Sequence, residues 1–244
     1  MKNLEHYNLL AEIFKYPSAE TANKIAEIKV LLDEKYPEAG EEFTRFSDFM
    51  ANSTKDEIEE IFGKTFHIQA ICFLDLGYVI FGEDYKRGEF LVNMKEEQRK
   101  AGIDCGIELA DNLPNILRLI AIHKDQQFLD EMVSMIMLPA IEKMLSEFDE
   151  RKTRIRENVL NKKQKVIIMK GIKNGNIYKN ALSMLFMVLK EDFKHIDFKK
   201  KVDVVTAQQR TFLNARDNAS DCGDCATPIP TPNEIKEQSM AAAK

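Results

Sequence analysis

Glycine and proline are scarce in this chain, and that scarcity restricts the folds open to it more than any other feature. Only 10 Gly and 7 Pro occur in 244 residues. A β-sandwich, a barrel or a doubly wound sheet needs a turn or glycine signal about every dozen residues. Abundant Lys, Glu, Leu and Ile favour helices instead. The sequence therefore predicts an all-α fold.

Apolar residues recur at helical spacing through most of the chain, and the recurring stretches are separated by Pro, Gly or capping residues. Ser53 and Thr54, with Glu57 in the first turn, are expected to cap one short helix. Pro139 is expected to kink or break the longest helix, because proline lacks the backbone N–H that a helix interior requires. The predicted helices cover residues 4–15, 19–32, 40–51, 54–62, 67–81, 84–101, 108–123, 126–150 and 176–193.

The chain shows no internal repeat and no boundary between tandem domains. We therefore predict one helical-bundle domain over residues 1–204. Beyond about residue 205 the apolar periodicity fades and closely spaced prolines follow. Such a composition is typical of a flexible tail, which we place at residues 205–244.

The charge balance and the lack of long apolar runs restrict the partners of the protein. The formal net charge is −5, whereas a protein that binds nucleic acid normally carries a basic surplus. No apolar run reaches the roughly 18–20 residues of a membrane span. Charged residues also interrupt the amino-terminal stretch, where a signal peptide would be apolar. We expect a cytoplasmic protein with no nucleic-acid partner and no direct membrane insertion.

Cys222 and Cys225 form the sharpest local motif, a CxxC pair in the predicted tail. This spacing suits two thiolates on one metal ion, or a dithiol that forms a disulfide. A closed zinc site needs four ligands, and no second pair stands nearby, so this is a weak candidate for a metal site. A metal-active or redox-active accessory protein remains one alternative.

No arrangement of residues in the sequence is typical of a catalytic site. A glycine-rich phosphate loop in a strand–loop–helix setting is missing, and no Ser/His/Asp or paired-carboxylate pattern stands out. We therefore expect a protein that works by binding and is not an enzyme. A helical scaffold or subunit of a larger complex is the second alternative.

Three short motifs occur in an order and spacing that resemble a known family. They are IFKYP at residues 13–17, GEDYKRG at 82–88 and ELADNLP at 108–114. Together with residues 176–189, they resemble the nitrate reductase assembly chaperones, the NarJ branch of the TorD/DmsD group. That family shows Leu-Leu-x-Tyr-Pro, Gly-Glu-Ser-x-x-Arg-Gly and Glu-Leu-Pro-Asp-His-Leu-Pro at these places. This chain has Ala110 and Asn112 where the family has Pro and His.

The resemblance covers residues 4–195 and implies a helical bundle of the TorD/NarJ type. It also implies a cytoplasmic maturation chaperone of a molybdoenzyme, of the nitrate reductase or nitrite oxidoreductase type. Such a chaperone binds the amino-terminal peptide of the apo catalytic subunit while iron–sulfur clusters and the molybdenum cofactor enter. The cofactor is thus handled through the client enzyme and is not bound stably by the chaperone, which is expected to be a monomer or homodimer.

The resemblance places the client-peptide site around its second and third motifs. A groove between helices binds an amphipathic client helix through apolar anchors, and a charged rim fixes its register. Asp111 is expected to accept a positive charge of a basic client peptide, and the two motifs are expected to share one hollow. The expected anchors are Phe73, Leu76, Tyr78, Phe81, Leu113 and Leu117. The expected rim and orienting residues are Glu83, Arg87, Glu108, Asp111, Asn112 and Pro114.

Overall fold

The computed structural model of the chain describes residues 3–68, 70–149, 152 and 177–196. These residues all belong to one unit, Met1–Leu213. Most of them are helical and none lies in a β-strand, which confirms the predicted all-α, single-domain fold. The predicted tail at 205–244 and its boundary lie outside the described residues.

The helices run through the described residues with short connections. In chain order they are α1 (His6–Leu10), a 3-10 helix (Ala11–Phe14), α2 (Thr21–Lys35), α3 (Pro37–Asn52), α4 (Lys55–Phe66), α5 (Leu76–Phe81), α6 (Tyr85–Lys100), α7 (Leu113–Ile122), α8 (Gln126–Glu131), a π-helical segment (Met132–Met137), α9 (Leu138–Glu147) and α10 (Ile177–Asp192). None of these helices is both long enough and apolar enough to cross a membrane.

Several helix ends follow from local residues. Thr54 Oγ1 accepts a hydrogen bond from the Glu57 N–H, and the Glu57 carboxylate accepts one from the Thr54 N–H, which confirms the predicted cap of α4. Pro37 occupies the first turn of α3, where its missing N–H costs nothing, so this helix begins earlier than predicted. Gly82 ends α5 with a φ of 65°, a conformation that favours glycine.

The helix predicted over residues 67–81 is wrong in its first half, because only Leu76–Phe81 is helical. The N–H groups of Ile71 and Cys72 both donate to the Thr65 carbonyl, and this turns the chain away from α4. Cys72 and Leu74 are nevertheless buried. A short apolar run shows that a segment is covered, but it does not show whether the covered segment is a helix.

The helix predicted over residues 108–123 begins five residues late, at Leu113. Pro114 lies in its first turn, as expected, but Asn112 makes no side-chain cap. In the predicted helix over 126–150, the regular turns are interrupted by the π-helical segment Met132–Met137, which ends two residues before Pro139. A wider turn is a common way to accommodate a proline in a helix, so the predicted irregularity is present.

The core joins the two ends of the described chain. Helix α10 packs against α3 and α9, and α2 also packs against α3. Helix α1 and the 3-10 helix pack against α7. Helix α5 lies between α6 and α9, so one side of the α5–α6 pair is held by the core. This arrangement fixes the start of α5, the first turn of α6 and the loop before α7 close together.

Candidate functional site

The third motif pairs in an antiparallel manner with the segment just before α5. The Leu76 N–H donates to the Asp111 carbonyl, and the Leu113 N–H donates to the Leu74 carbonyl, each at 2.9 Å. Asp75 and Asn112 therefore lie opposite each other as one isolated bridge. The loop before α5 and the loop before α7 are tied together at this point, next to the first turn of α6.

Three charged side chains converge at this bridge, and we name them the Asp75–Arg87–Asp111 cluster. Arg87 Nε lies 3.5 Å from Asp111 Oδ2, and Arg87 Nη2 lies 3.5 Å from Asp75 Oδ2. The Asn112 side-chain amide donates to Asp75 Oδ1 at 3.1 Å. One guanidinium thus serves two carboxylates, which leaves the cluster with one negative charge when both are ionised.

Asp111 is the least satisfied member of the cluster. Its side chain is fully buried, and neither carboxylate oxygen has a hydrogen-bond partner among the described residues. The 3.5 Å contact with Arg87 is longer than the 2.7–2.9 Å typical of a charge-assisted hydrogen bond. Burial raises the pKa of Asp111 from 3.8 to about 6, the charge of Asp75 adds to the rise, and Arg87 opposes it. Asp111 is therefore a carboxylate whose negative charge is poorly compensated.

Gly77 allows α5 to approach Asp111 this closely. A Cβ atom at Gly77 would lie 2.6 Å from Asp111 Oδ2 and 2.9 Å from the ring of Phe90. Both distances are shorter than real Cβ contacts, so any larger residue would push the carboxylate or the ring away. The position of Asp111 thus depends on a glycine in the first turn of α5.

Aromatic side chains border the cluster on its accessible side. Phe73 is 43% exposed and packs edge-on against Tyr78, with ring centroids 4.9 Å apart. The guanidinium of Arg87 lies 5.1 Å from the Tyr78 ring centroid, a cation–π contact. The side chains of Asp75 and Arg87 are partly exposed, at 30% and 23%. We define the accessible patch as Phe73, Asp75, Tyr78 and Arg87.

The structure corrects the expected set of apolar anchors. Leu76, Leu113 and Leu117 have no exposed surface, so they belong to the core and do not line an accessible groove. Asn112 and Pro114 are buried as well. The sequence showed that these residues are apolar or helix-starting, but it did not show which side of each helix the rest of the chain covers.

The remaining predicted residues lie around the cluster without joining it. Phe81 is half-buried and packs against Phe90, with ring centroids 5.8 Å apart. Glu83 and Glu108 are exposed, and neither has an ion-pair partner among the described residues. Of the expected set, Phe73, Tyr78, Arg87, Asp111 and Asn112 are therefore brought together, and Asp75 joins them.

Asp75 is missing from the residues predicted for the site, although one signal pointed to it. It is the only charged residue between His67 and Phe81, and a lone carboxylate inside an apolar run needs a partner. Its partners Arg87 and Asn112 come from two other segments.

A second buried polar network was also missed. His6 Nε2 lies 2.8 Å from Asp192 Oδ2, and the Tyr36 hydroxyl donates to Asp192 Oδ1 at 2.7 Å. Burial, with the hydrogen bond to Asp192, raises the pKa of Tyr36 well above its ordinary value. The pair His6 and Asp192 is separated by 186 residues, so no local spacing could reveal it. This network fastens the end of α10 to α1 and to the junction between α2 and α3.

Three hollows lined by described residues lie away from the cluster. One of about 530 Å³ lies beside α2, with Leu9, Val30 and Leu31 in its lining. Another of about 280 Å³ is lined in part by Asp192 and His195, at the end of α10. The third, of about 450 Å³, borders the end of α9. The hollow that the second and third motifs were expected to share is not among these three.

A metal site could be formed by side chains in the described part of the chain or by the CxxC pair. Within the described part of the chain, no three His, Cys, Asp or Glu side chains stand close enough together to bind a metal. Cys72 is buried and Cys105 half-buried, and neither forms a disulfide. The CxxC pair Cys222 and Cys225 lies outside the described residues, so the alternative based on it is neither supported nor contradicted here.

Comparison with known proteins does not show a family for this chain. No protein-family model matches the chain. No curated protein matches it in sequence either.

Proposed function

We propose that this protein is a maturation chaperone that binds the amino-terminal peptide of an apo molybdoenzyme catalytic subunit, of the nitrate reductase or nitrite oxidoreductase type. One observation carries the proposal. The second and third motifs of the resemblance are separate in sequence, yet Arg87 of the second lies 3.5 Å from Asp111 of the third in the Asp75–Arg87–Asp111 cluster. The exposed ring of Phe73 and the half-buried ring of Tyr78 border that meeting point, and such rings can anchor a peptide.

The accessible patch offers both kinds of contact that a basic amphipathic peptide needs. Apolar client side chains pack against the exposed ring of Phe73 and the half-buried ring of Tyr78. A positively charged client side chain pairs with Asp75, which is partly exposed and close to Asp111. Aromatic contacts supply most of the binding energy in such interfaces, and the charged pairs fix the register.

The chain acts in this proposal by binding, and the chemistry of maturation belongs to the client. The protein holds the client peptide in the cytoplasm while iron–sulfur clusters and the molybdenum cofactor enter the apo-enzyme, and then it releases the client. A small patch with few aromatic anchors suits a moderate affinity, which release requires. Membrane and nucleic-acid partners have no place in this cycle.

The proposal is tested with the client identified by affinity capture from the native cell. A chaperone of this type retains an immature molybdoenzyme subunit that lacks its cofactor. A synthetic peptide of that subunit's first residues is then titrated by calorimetry into the wild-type protein and into Phe73→Ala and Asp75→Asn. Each substitution should weaken binding about tenfold or more.

Val30→Ala is the matched control, because Val30 is 58% exposed but lies on α2, outside the accessible patch. It should bind the peptide as the wild type does. Undiminished affinity in both Phe73→Ala and Asp75→Asn would refute binding at this patch. Capture of no molybdoenzyme subunit from cells that express one would refute the chaperone function itself.

A further inference from the structure

The Asp75–Arg87–Asp111 cluster has too little positive charge for its carboxylates. Both ion pairs of Arg87 are 3.5 Å long, and neither oxygen of the buried Asp111 accepts a hydrogen bond of good geometry from the described residues. A buried carboxylate normally accepts several hydrogen bonds, because leaving it unpaired costs free energy. The carboxylates of Asp75 and Asp111 thus form a site for cations whose negative charge Arg87 compensates only in part.

The Arg87 side chain has a second favourable position close by, over the Tyr78 ring. Its guanidinium already lies 5.1 Å from the Tyr78 ring centroid, and its side chain is partly exposed to solvent. An arginine that moves away from Asp111 therefore keeps the cation–π contact and access to water. By contrast, Asp111 is fixed by the pairing of its carbonyl with Leu76 and by the close approach of Gly77.

We propose that Asp75 and Asp111 form a cation-binding site which Arg87 occupies from within the chain, and that a guanidinium or ammonium group of an incoming peptide displaces Arg87 from it. The identity of the incoming peptide rests on the function proposed above, but the site itself does not. Arg87 is then an internal competitor of the ligand and not a rim residue that recognises it.

The two roles of Arg87 predict opposite effects of removing it. A ligand that must displace Arg87 binds with its intrinsic affinity multiplied by the fraction of molecules in which the site is open. Removing Arg87 opens the site in every molecule and so raises the affinity for a cation. If Arg87 instead recognised the ligand, its removal would lower the affinity. The sign of the change therefore decides between the two roles.

The experiment uses N-acetyl-arginine methylamide as a minimal cation and its citrulline counterpart as the neutral control. Each compound is titrated at pH 7.5 into the full chain and followed by NMR at the Gly77 backbone amide and the Asn112 side-chain amide. The proteins are the wild type, Arg87→Gln, Arg87→Gln with Asp111→Asn, and Arg99→Gln. Arg99 lies on the same helix but pairs with Glu96 on its exposed face, so it serves as the matched control.

Arg87→Gln should bind the arginine compound about fivefold or more tightly than the wild type, because a partly exposed ion pair is worth about 1 kcal/mol. It should bind the citrulline compound no better than the wild type does. Adding Asp111→Asn should abolish the gain, and Arg99→Gln should behave as the wild type. If Arg87→Gln does not fold, Arg87→Lys should give a smaller gain, since lysine lacks the planar fork and the stacking of arginine.

Equal or weaker binding of the arginine compound by folded Arg87→Gln would overturn the proposal, as would equal gains for the two compounds. Absence of binding to every variant would overturn it too, while the client-peptide titration would still decide the proposed function. The opposite outcome can also be told apart. If the arginine compound binds as expected but no client peptide binds, the cation site stands and the chaperone function is refuted.

Discussion

Replacing Asp111 by Asn should make the protein more stable and, at the same time, poorer at binding a basic peptide. Asparagine has the shape of aspartate without its charge, and that charge is poorly compensated in the folded protein. The pKa of Asp111 rises from 3.8 to about 6 on folding, chiefly because of burial. Each pKa unit corresponds to 1.36 kcal/mol, so the ionised side chain costs about 3 kcal/mol of folding free energy at pH 7.5.

The pH dependence gives this prediction its sign. An acid whose pKa is higher in the folded state than in the unfolded state binds protons more readily when folded, so it makes stability fall as pH rises between the two pKa values. The cost of Asp111 is therefore largely absent near pH 4, grows through pH 6 and is constant above it. The advantage of Asp111→Asn should shrink from about 3 kcal/mol at pH 7.5 to under about 1 kcal/mol at pH 4.

Urea unfolding followed by circular dichroism measures both quantities, at pH 7.5 and at intervals down to pH 4. Asp48→Asn is the matched control, because Asp48 is exposed on α3, and it should leave stability unchanged at every pH. A loss of stability in Asp111→Asn at pH 7.5 would refute the reasoning, since it would mean that Arg87 more than compensates the buried charge. A gain that does not depend on pH would refute the assignment of the gain to ionisation.

Three further substitutions, one of them paired with a control, test the packing and the polar contacts. Gly77→Ala should cost about 1–3 kcal/mol in chemical denaturation because the new methyl has no room, whereas Gly63→Ala, with open space around it on α4, should stabilise by up to about 1 kcal/mol. Thr54→Ala should lower the unfolding free energy by about 1 kcal/mol through loss of the α4 cap, and an unchanged urea midpoint would contradict this. Tyr36→Phe should cost about 1.5–3 kcal/mol, because it removes a hydrogen bond to the buried carboxylate of Asp192; a stability within error of the wild type would show that this bond contributes nothing.

The parts of the fold that depend on neighbouring residues could be predicted from the sequence. The cap formed by Thr54 and Glu57 lies within four residues, and it was predicted correctly. The irregularity at Pro139 follows equally from a local property, the missing N–H. The prediction of a helix over residues 67–75 was wrong. Apolar residues of this segment are buried, and burial is equally compatible with a loop or a helix.

The sequence predicted the region of the site, but it did not predict which of its side chains are exposed. The resemblance implied one site around the second and third motifs, and Arg87 and Asp111, one from each motif, form an ion pair. Exposure, however, depends on packing: Leu113 and Leu117 have the same apolar character as Phe73, yet only Phe73 reaches solvent. Asp75 was missed because its bond to Asn112 joins residues 37 positions apart, and its importance appears only when that pairing is seen.

The cost of burying Asp111 and the affinity for a basic peptide have one common origin. In the free protein, Asp111 and Asp75 share Arg87, and the uncompensated part of their charge destabilises the fold. A ligand cation that takes the place of Arg87 beside Asp111, while Arg87 stays close by on the Tyr78 ring, brings a second positive charge to the cluster, so part of that cost is returned as binding free energy. The gain is limited, because the ligand must first move Arg87 from its place. Such a site binds its ligand more weakly than an empty acidic pocket would, and it releases the ligand as Arg87 returns. A neutral residue at position 111 would give a more stable protein that has lost this exchange.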